Sequence, residues 1–398
     1  MNKRIIFHID VNNAFLSWTA VLLLKEGYKI DIRKIPSIIG GDENKRHGIV
    51  LAKSPIAKKY GIKTAETLYM ARRKCPNIQI FPPNYSWYYK ESFLFHNYLK
   101  QFTPNVEKYS VDEAFLDFSG TNYMYKDYIL LANQIKDDIK EKYGFTVNVG
   151  IGNNMLCAKM ASDFEKPDKV HTLFLNEVQE KMWPLPIEDL FMVGKSTAKI
   201  LRNIGINTIG ELANTDILIL KKHFKNQAQF LKDSANGIDY NKIHKNESKN
   251  PSISVSETLP KDIDDITLLE DILFRQSAEV ASQLRNRSKY CNTIAVIYKN
   301  SNFESYSKQI KLNNPTNNTN EIFLQVKKIM KLGWRGDPIR LIGIRLADLT
   351  DNVKKQLSLF EQNEANPKID DMFQKTMDEI NNKFGVNTII PASMKKKN

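Results

Sequence analysis

YSVDEAFLDF, residues 109–118, sets two acids, Asp112 and Glu113, side by side in an apolar run. Ala114, Phe115, Leu116 and Phe118 read as buried, and ionised carboxylates beside buried side chains cost free energy unless they are paired, hydrated or bound to a cation. On a regular strand adjacent side chains point to opposite faces, so the two acids would diverge. At a hairpin tip that alternation breaks, and both can turn toward a third group. With the residues before it, VEKYSVDEAFLDF predicts two short strands with a tip over 110–113. A candidate third group is Asp10, at the end of RIIFHIDV, a run rich in β-branched and aromatic residues that predicts a buried strand. If the strands are neighbours, three carboxylates cluster, and their repulsion supplies a reason for divalent cations. Oxygen-only ligands suit Mg²⁺, which takes carboxylates, substrate phosphates and water. Taken alone, an Asp-Glu pair also suits a surface strand whose acids face water.

The chain has 398 residues, a length that suggests several domains rather than one core. Its 42% hydrophobic and 26% charged content is that of a soluble globular protein. A net charge of +13 favours polyanions, nucleic acid ahead of an anionic membrane, although richness in Asn, Lys and Ile also fits biased coding composition. Cys75, Cys157 and Cys291 are far apart and form no CxxC pair, so neither zinc nor a disulfide framework is expected and a reduced cytoplasmic setting fits. No signal-peptide core or bilayer-length apolar run is found.

Outward from the acids, AFLSWTAVLLLKEG predicts a helix ending at Gly27. Residues 30–76 are mixed and rich in Gly, Lys and Arg. YSWYYKESFLFHNYLKQF has apolar residues at helical spacing, so its aromatics are expected in the core. YILLANQIKDDIKEKYG predicts an amphipathic helix stopped by Gly144, FTVNVGIGNN a strand and turn, and MLCAKMASDFEKP a helix ended by Pro167. Strands at both ends with helices between give an α+β layer domain. Past Trp183-Pro184 the chain becomes small, helical and punctuated by glycine, then passes through a polar linker. Residues 252–349 alternate strand-like runs with helices at 266–288 and 320–333. LNNPTNNTN predicts an exposed turn, and beyond residue 350 a polar tail contains one more helix.

FHIDVNNAF followed by YSVDEAFLDF resembles the two carboxylate motifs of Y-family DNA polymerases of the DinB type, used in translesion synthesis, and the similarity runs over nearly the whole chain. The resemblance implies an α+β multidomain right hand. Its parts are a palm (1–16 and 77–168), fingers (17–76), a helical thumb with a helix-hairpin-helix (169–240), a linker (241–250), an α/β little finger (251–349) and a tail (350–398). It implies a DNA-directed DNA polymerase that joins dNTPs to a primer 3′-OH with two Mg²⁺ ions and tolerates damaged templates at low fidelity. Primer-template DNA, dNTPs and a bacterial sliding clamp are the implied partners of a cytoplasmic monomer. The alternative is a family-like accessory that binds DNA and clamp without catalysis; the presence of all three acids favours the enzyme.

Residue by residue, Asp10, Asp112 and Glu113 match the family's metal-binding acids, and Val11 the position whose backbone carbonyl also binds metal. Phe15 matches the aromatic gate that excludes a ribose 2′-OH, though alone it reads equally as a core aromatic. Lys166 matches a lysine that contacts the triphosphate, though alone it reads as a solvated helix-end charge. There are departures. LAKSPIAKKYGIKT resembles the pattern ASYEARKYGV, but Pro55 stands for a triphosphate-binding tyrosine, and Lys58 for an arginine, keeping charge and losing the bidentate fork. Asn12 replaces the second acid of Asp-x-Asp. MVGKSTAKILRNIGI resembles a helix-hairpin-helix that would hold a DNA phosphate at Gly194 and Lys195. Its first glycine is Met192, which predicts weaker binding, and a purely structural helical turn stays open. QLSLF matches a clamp-binding peptide: Gln356 to hydrogen-bond, Leu357, Leu359 and Phe360 to fill an apolar groove, and Ser358 between them. A short buried strand is the other reading. GGDE at 40–43 is shared with diguanylate cyclases but is followed by Asn44 in a basic, loop-rich segment. VGIGNN lacks a nucleotide-binding glycine pattern and reads as a turn.

Overall fold

Ile6–Val11 (β1) is buried at every position, because both faces of the strand are covered. Phe7, Ile9 and Val11 join one apolar core, while Ile6 packs with Phe115 and Ala158 on the other side. In chain order β1 is followed by α1 (Ala14–Lys25), β2 (Ser37–Gly40), β3 (Val50–Lys53), α2 (Pro55–Lys59), α3 (Leu68–Lys74), β4 (Gln79–Phe81), α4 (Tyr85–Leu99), β5 (Val106–Lys108), β6 (Glu113–Asp117), α5 (Tyr128–Tyr143), β7 (Val147–Gly152), α6 (Met155–Asp163) and β8 (Val170–Leu173). The computed structural model describes residues 4–43, 46, 48–121, 123–243, 252–351, 367–385 and 388–389.

The chain makes two compact units. In the first, five strands form a sheet in the order β5-β6-β1-β7-β8. β1 runs antiparallel to both neighbours, with Asp10 opposite Glu113 on one side and Asn148 on the other. β8 lies parallel to β7, so this sheet continues past the boundary expected at 168, to Leu173. A smaller sheet, β3-β2-β4, is tied to it through Leu16 and Ala20 of α1, which pack with Ile39. α5 starts at an Asp127 side-chain cap and stops at Gly144, whose φ of 78° is the left-handed C-cap its sequence predicts. α6 ends at Asp163 rather than at Pro167, leaving Lys166 in the following loop. It lies hard against β7: a Cβ on Gly150 would sit 2.0 Å from the Ala158 carbonyl oxygen. Only glycine permits that approach.

α4 departs from the expectation that its aromatics are core. Tyr88, Phe95 and Tyr98 are buried, but Tyr85, Tyr89 and Phe93 are exposed at 56%, 69% and 65%. Those three repeat every four residues and so share the solvent side of the helix. Four short helices complete the unit: α7 (Lys195–Asn203), α8 (Ile209–Asn214), α9 (Ile217–Phe224) and α10 (Ala228–Ala235). Leu201, Ile209, Leu212 and Leu231 from them share a core with Leu156, Cys157 and Met160 of α6.

The second unit comprises β9 (Ser252–Ile263), α11 (Ile266–Asn286), β10 (Tyr290–Asn300), β11 (Ser305–Thr316), α12 (Thr319–Gly333), β12 (Ile339–Thr350) and α13 (Pro367–Phe384). The strands form an antiparallel sheet, β11-β10-β12-β9. Ile294, Val296, Ile342, Ile344 and Leu346 alternate inward and meet Leu273, Val280, Val326 and Ile329 of α11 and α12. LNNPTNNTN is not wholly a turn. Its first five residues end β11, with Ile310 and Leu312 packed against the core and Lys311 exposed between them. α13 is anchored where the Arg285 fork donates to Asp378 at 2.6 and 3.1 Å and to Gln374 at 2.8 Å. Among the described residues all three cysteines are free and buried, and no helix is long and apolar enough to cross a membrane.

Candidate active site

The register of β1 on β6 puts Asp10 and Glu113 on facing positions. The tip before β6 carries Asp112, whose backbone carbonyl accepts from Val11 N–H at 3.0 Å and whose Oδ1 accepts from Ser110 Oγ at 2.7 Å. Asp10, Val11 and Asp112 line one wall of a cleft of about 480 Å³. Asp10 is only 7% exposed, and burial pushes its carboxyl above the usual range against the pull of the Lys166 ammonium bonded to it. Lys166 also pairs with Asp163 at 2.8 Å. Glu113 is held from behind. Lys159 Nζ donates to its Oε1 at 2.6 Å, and His8 Nε2 lies 3.8 Å from its Oε2. Burial acts to raise the Glu113 carboxyl, but His8 and Lys159 outweigh it and leave it at about 2. Burial lowers the His8 pKa, and its Nδ1 is anchored at 2.8 Å from Ser162 Oγ.

The opposite wall is basic. Lys53 of β3 and Lys58 of α2 line it with Pro55, the first residue of α2, whose Ser54 cap accepts from Ala57 N–H. Phe15 also lines the cleft. Its ring stacks on Tyr88, with centroids 4.6 Å apart and 7° between planes, and meets Tyr85 edge-on at 6.2 Å. Tyr88 is itself fixed by Thr19, 2.8 Å from its hydroxyl. The ring at this position is therefore a braced wall of the cleft that, partly buried, also packs against the core. Asn12 is tied elsewhere: its Nδ2 donates to Thr146 Oγ1 at 3.1 Å.

Of the residues singled out in the sequence, Asp10, Val11, Asp112, Phe15, Lys58 and Lys166 share this cleft, and Glu113 stands behind Asp10 on the neighbouring strand. Gly194 and Lys195 lie elsewhere, exposed at the start of α7, with Gly194 as its N-cap. Met192, which stands for a glycine, has φ 73° and is 64% exposed. A left-handed conformation there is the one a glycine would adopt without strain. Gln356, Leu357, Ser358, Leu359 and Phe360 lie outside the described residues. Lys53 and Lys159 were not legible as site residues. Lys53 ends an unremarkable strand, and Lys159 sits within LCAKMA, where a lone lysine in an apolar helix is the only signal.

The donor set fits a hard divalent cation in its chemistry: three carboxylates and a backbone carbonyl, all oxygen. Two ammonium groups already stand on two of the acids, which marks the wall as a place that requires positive charge. Among the described residues no three acidic, His or Cys side chains gather about one point, so the cluster of Asp10, Asp112 and Glu113 expected from the sequence is not formed here, and Lys166 stands on Asp10 instead.

Acids on the central strand of a sheet and at the tip beside it, over a lysine-lined cleft and followed by short helices and a separate α/β unit, fit a multidomain α+β polymerase. Residues 9–163 match the impB/mucB/samB family, residues 250–359 its C-terminal domain, and residues 176–206 the helix-hairpin-helix motif of the same family. The chain is 46% identical over 395 residues to DNA polymerase IV of Clostridium acetobutylicum, covering 99% of each. It is 33% identical to DNA polymerase IV of Acetivibrio thermocellus, covering 96% of this chain and 95% of that one. A solved Y-family DNA polymerase chimera superposes with a TM-score of 0.75 at 23% identity, over 87% of this chain and all of the other, a likeness of fold. The chain belongs to the impB/mucB/samB family, the Y-family DNA polymerases, and is of the DinB type. It is a DNA-directed DNA polymerase. Polymerases of this family depend on divalent metal.

Proposed function

We propose that this polymerase performs low-fidelity translesion synthesis, in which a primer 3′-OH attacks the α-phosphate of a dNTP and pyrophosphate leaves. The observation that carries the reading is the shared cleft: Asp10 and Asp112 on one wall, lysines on the other, and the Phe15 ring between. Asp10, Asp112, Glu113 and the Val11 carbonyl would hold Mg²⁺, about two ions, which supplies Lewis-acid stabilisation of the attacking and leaving oxygens.

The chain's own groups do the rest. Phe15, braced by Tyr88, fills the space a ribose 2′-OH needs and so selects deoxyribonucleotides by exclusion. Lys58 and Lys166 steady the triphosphate. Lys166, at 36% side-chain exposure, can exchange Asp10 for a phosphate, whereas Lys159, at 10%, stays on Glu113 and fixes it. The exposed N–H groups at Gly194 and Lys195 hold a backbone phosphate of the primer-template. Residues 356–360 tether the enzyme to a sliding clamp. The palm takes in 1–16 and 77–173, the fingers 17–76, the thumb the four short helices that follow and the little finger the second unit. The enzyme works as a cytoplasmic monomer.

Primer extension with dNTPs and Mg²⁺ tests the reading. Wild type is expected to extend an undamaged and a lesion-bearing template, and Asp112→Ala to bind DNA normally but extend at least about 1,000-fold more slowly. Tight DNA binding by wild type without extension would show an accessory instead.

A further inference from the structure

The basic wall of the cleft holds one more cation than the sequence motif accounts for. Lys53 closes β3 and lines the cleft beside Ser54, Pro55 and Lys58. Its Nζ donates to Thr64 Oγ1 at 3.0 Å, and Thr64 lines the same cleft. Among the described residues neither Lys53 nor Lys58 forms an ion pair with a carboxylate; the nearby Glu66 is taken by Lys74 at 2.5 Å. The lysines of the opposite wall differ, since Lys159 and Lys166 each hold an acid. Burial and the neighbouring Lys58 charge lower the pKa of Lys53, so the pair repels as it stands. Two ammonium groups in one cleft, where the nearby Glu66 charge acts on Lys53 but is paired with Lys74, become more favourable when a dense anion sits between them.

Local chemistry says which anion. Pro55 offers neither an N–H nor a polar side chain at the start of α2, and Lys58 offers a point charge without a fork. A second ammonium supplies donors that Pro55 cannot offer and that Lys58, which keeps the charge without the fork, offers only from one point. We propose that Lys53 and Lys58 together form a two-lysine seat for the triphosphate of the incoming nucleotide, with Thr64 orienting the Lys53 ammonium. This rests on the nucleotidyl-transfer reading above. Phosphoryl oxygens are the recognised chemistry; they are supplied by the nucleotide here, and the competing source is the DNA backbone.

The test uses the full chain on a primer-template whose primer ends in a dideoxynucleotide, so that nucleotide binding is read without turnover. Lys53→Met is expected to weaken dNTP binding about tenfold or more, with primer-template affinity and its salt dependence unchanged. Lys53→Arg should stay within about threefold of wild type, and Thr64→Val should fall between. In wild type, dNTP or inorganic triphosphate should protect both Lys53 and Lys58 from acetylation, read by mass spectrometry; this readout needs no variant to fold. Unchanged dNTP affinity in Lys53→Met, or protection by DNA alone and not by triphosphate, would overturn the seat while leaving the polymerase reading intact. Failure of wild type to bind dNTP or extend a primer would remove that parent reading instead.

Discussion

The two walls of the cleft treat charge in opposite ways. On the sheet side two acids arrive with counter-ions from the same chain: Lys166 on Asp10 and Lys159 on Glu113. On the β3–α2 side Lys53 and Lys58 have no acid partner among the described residues. Both lysines of the acid wall come from α6 and the loop after it, brought close because Gly150 and Gly152 let the helix rest on β7. The contrast teaches that the fold neutralises the acid wall with its own ammonium groups and leaves the ammonium groups of the basic wall without such partners among the described residues. The two lysines of the acid wall also differ in exposure, Lys166 at 36% and Lys159 at 10%.

The largest expected effect breaks the acid wall at its open end. Asp112→Ala should remove at least about 1,000-fold of extension rate while leaving the melting temperature within about two degrees, because the side chain is partly exposed and, among the described residues, bonded only to Ser110. Next, Phe15→Ala should admit ribonucleotides, lowering sugar discrimination by a factor on the order of 100 in competition assays; unchanged discrimination would remove the gate. Lys159→Met strips the built-in counter-ion from a partly buried carboxylate and should cost about 2–4 kcal/mol of stability. Adding Glu113→Gln should restore part of that loss, and equal losses in the single and double variants would contradict the pairing. The smallest effect lies at Asp168, which Lys140 and Lys136 hold at 2.7 and 3.0 Å. Burial acts to raise the Asp168 carboxyl, and the two lysines outweigh it and lower it. Its contribution is therefore present above the ordinary carboxylate pKa near 3.8 and fades as pH falls through the lowered value. Asp168→Asn should cost about 1 kcal/mol or less at neutral pH, with the difference from wild type closing in acid.

Much of this was legible in the residues. The β-branched and aromatic content of RIIFHIDV marked a buried strand and the acids of YSVDEAF a strand tip, but that the two strands are neighbours, with Asp10 opposite Glu113, had to be assumed until the structure showed it. Helix ends at Gly27 and Gly144 followed from their permissive backbone. β11 was not legible because an edge strand with one solvated face carries few apolar side chains, and only Ile310 and Leu312 point inward. The solvent-facing aromatics of α4 were misread because apolar spacing cannot say which of two aromatic sides is covered. Lys159 and Lys53 were missed for a different reason. What each touches is fixed by the packing of a helix on a strand or of a small sheet over a cleft, which no local pattern encodes.

The central claim is that the carboxylates of β1 and the β6 tip exist to hold divalent cations. Equilibrium dialysis against Mn²⁺, with the enzyme bound to dideoxy-terminated primer-template and the next dNTP, tests it most directly. About two ions per chain are predicted for wild type, with at least one lost in Asp10→Asn and in Asp112→Asn. Binding that is absent in wild type, or unchanged when both acids are neutralised, would contradict the account.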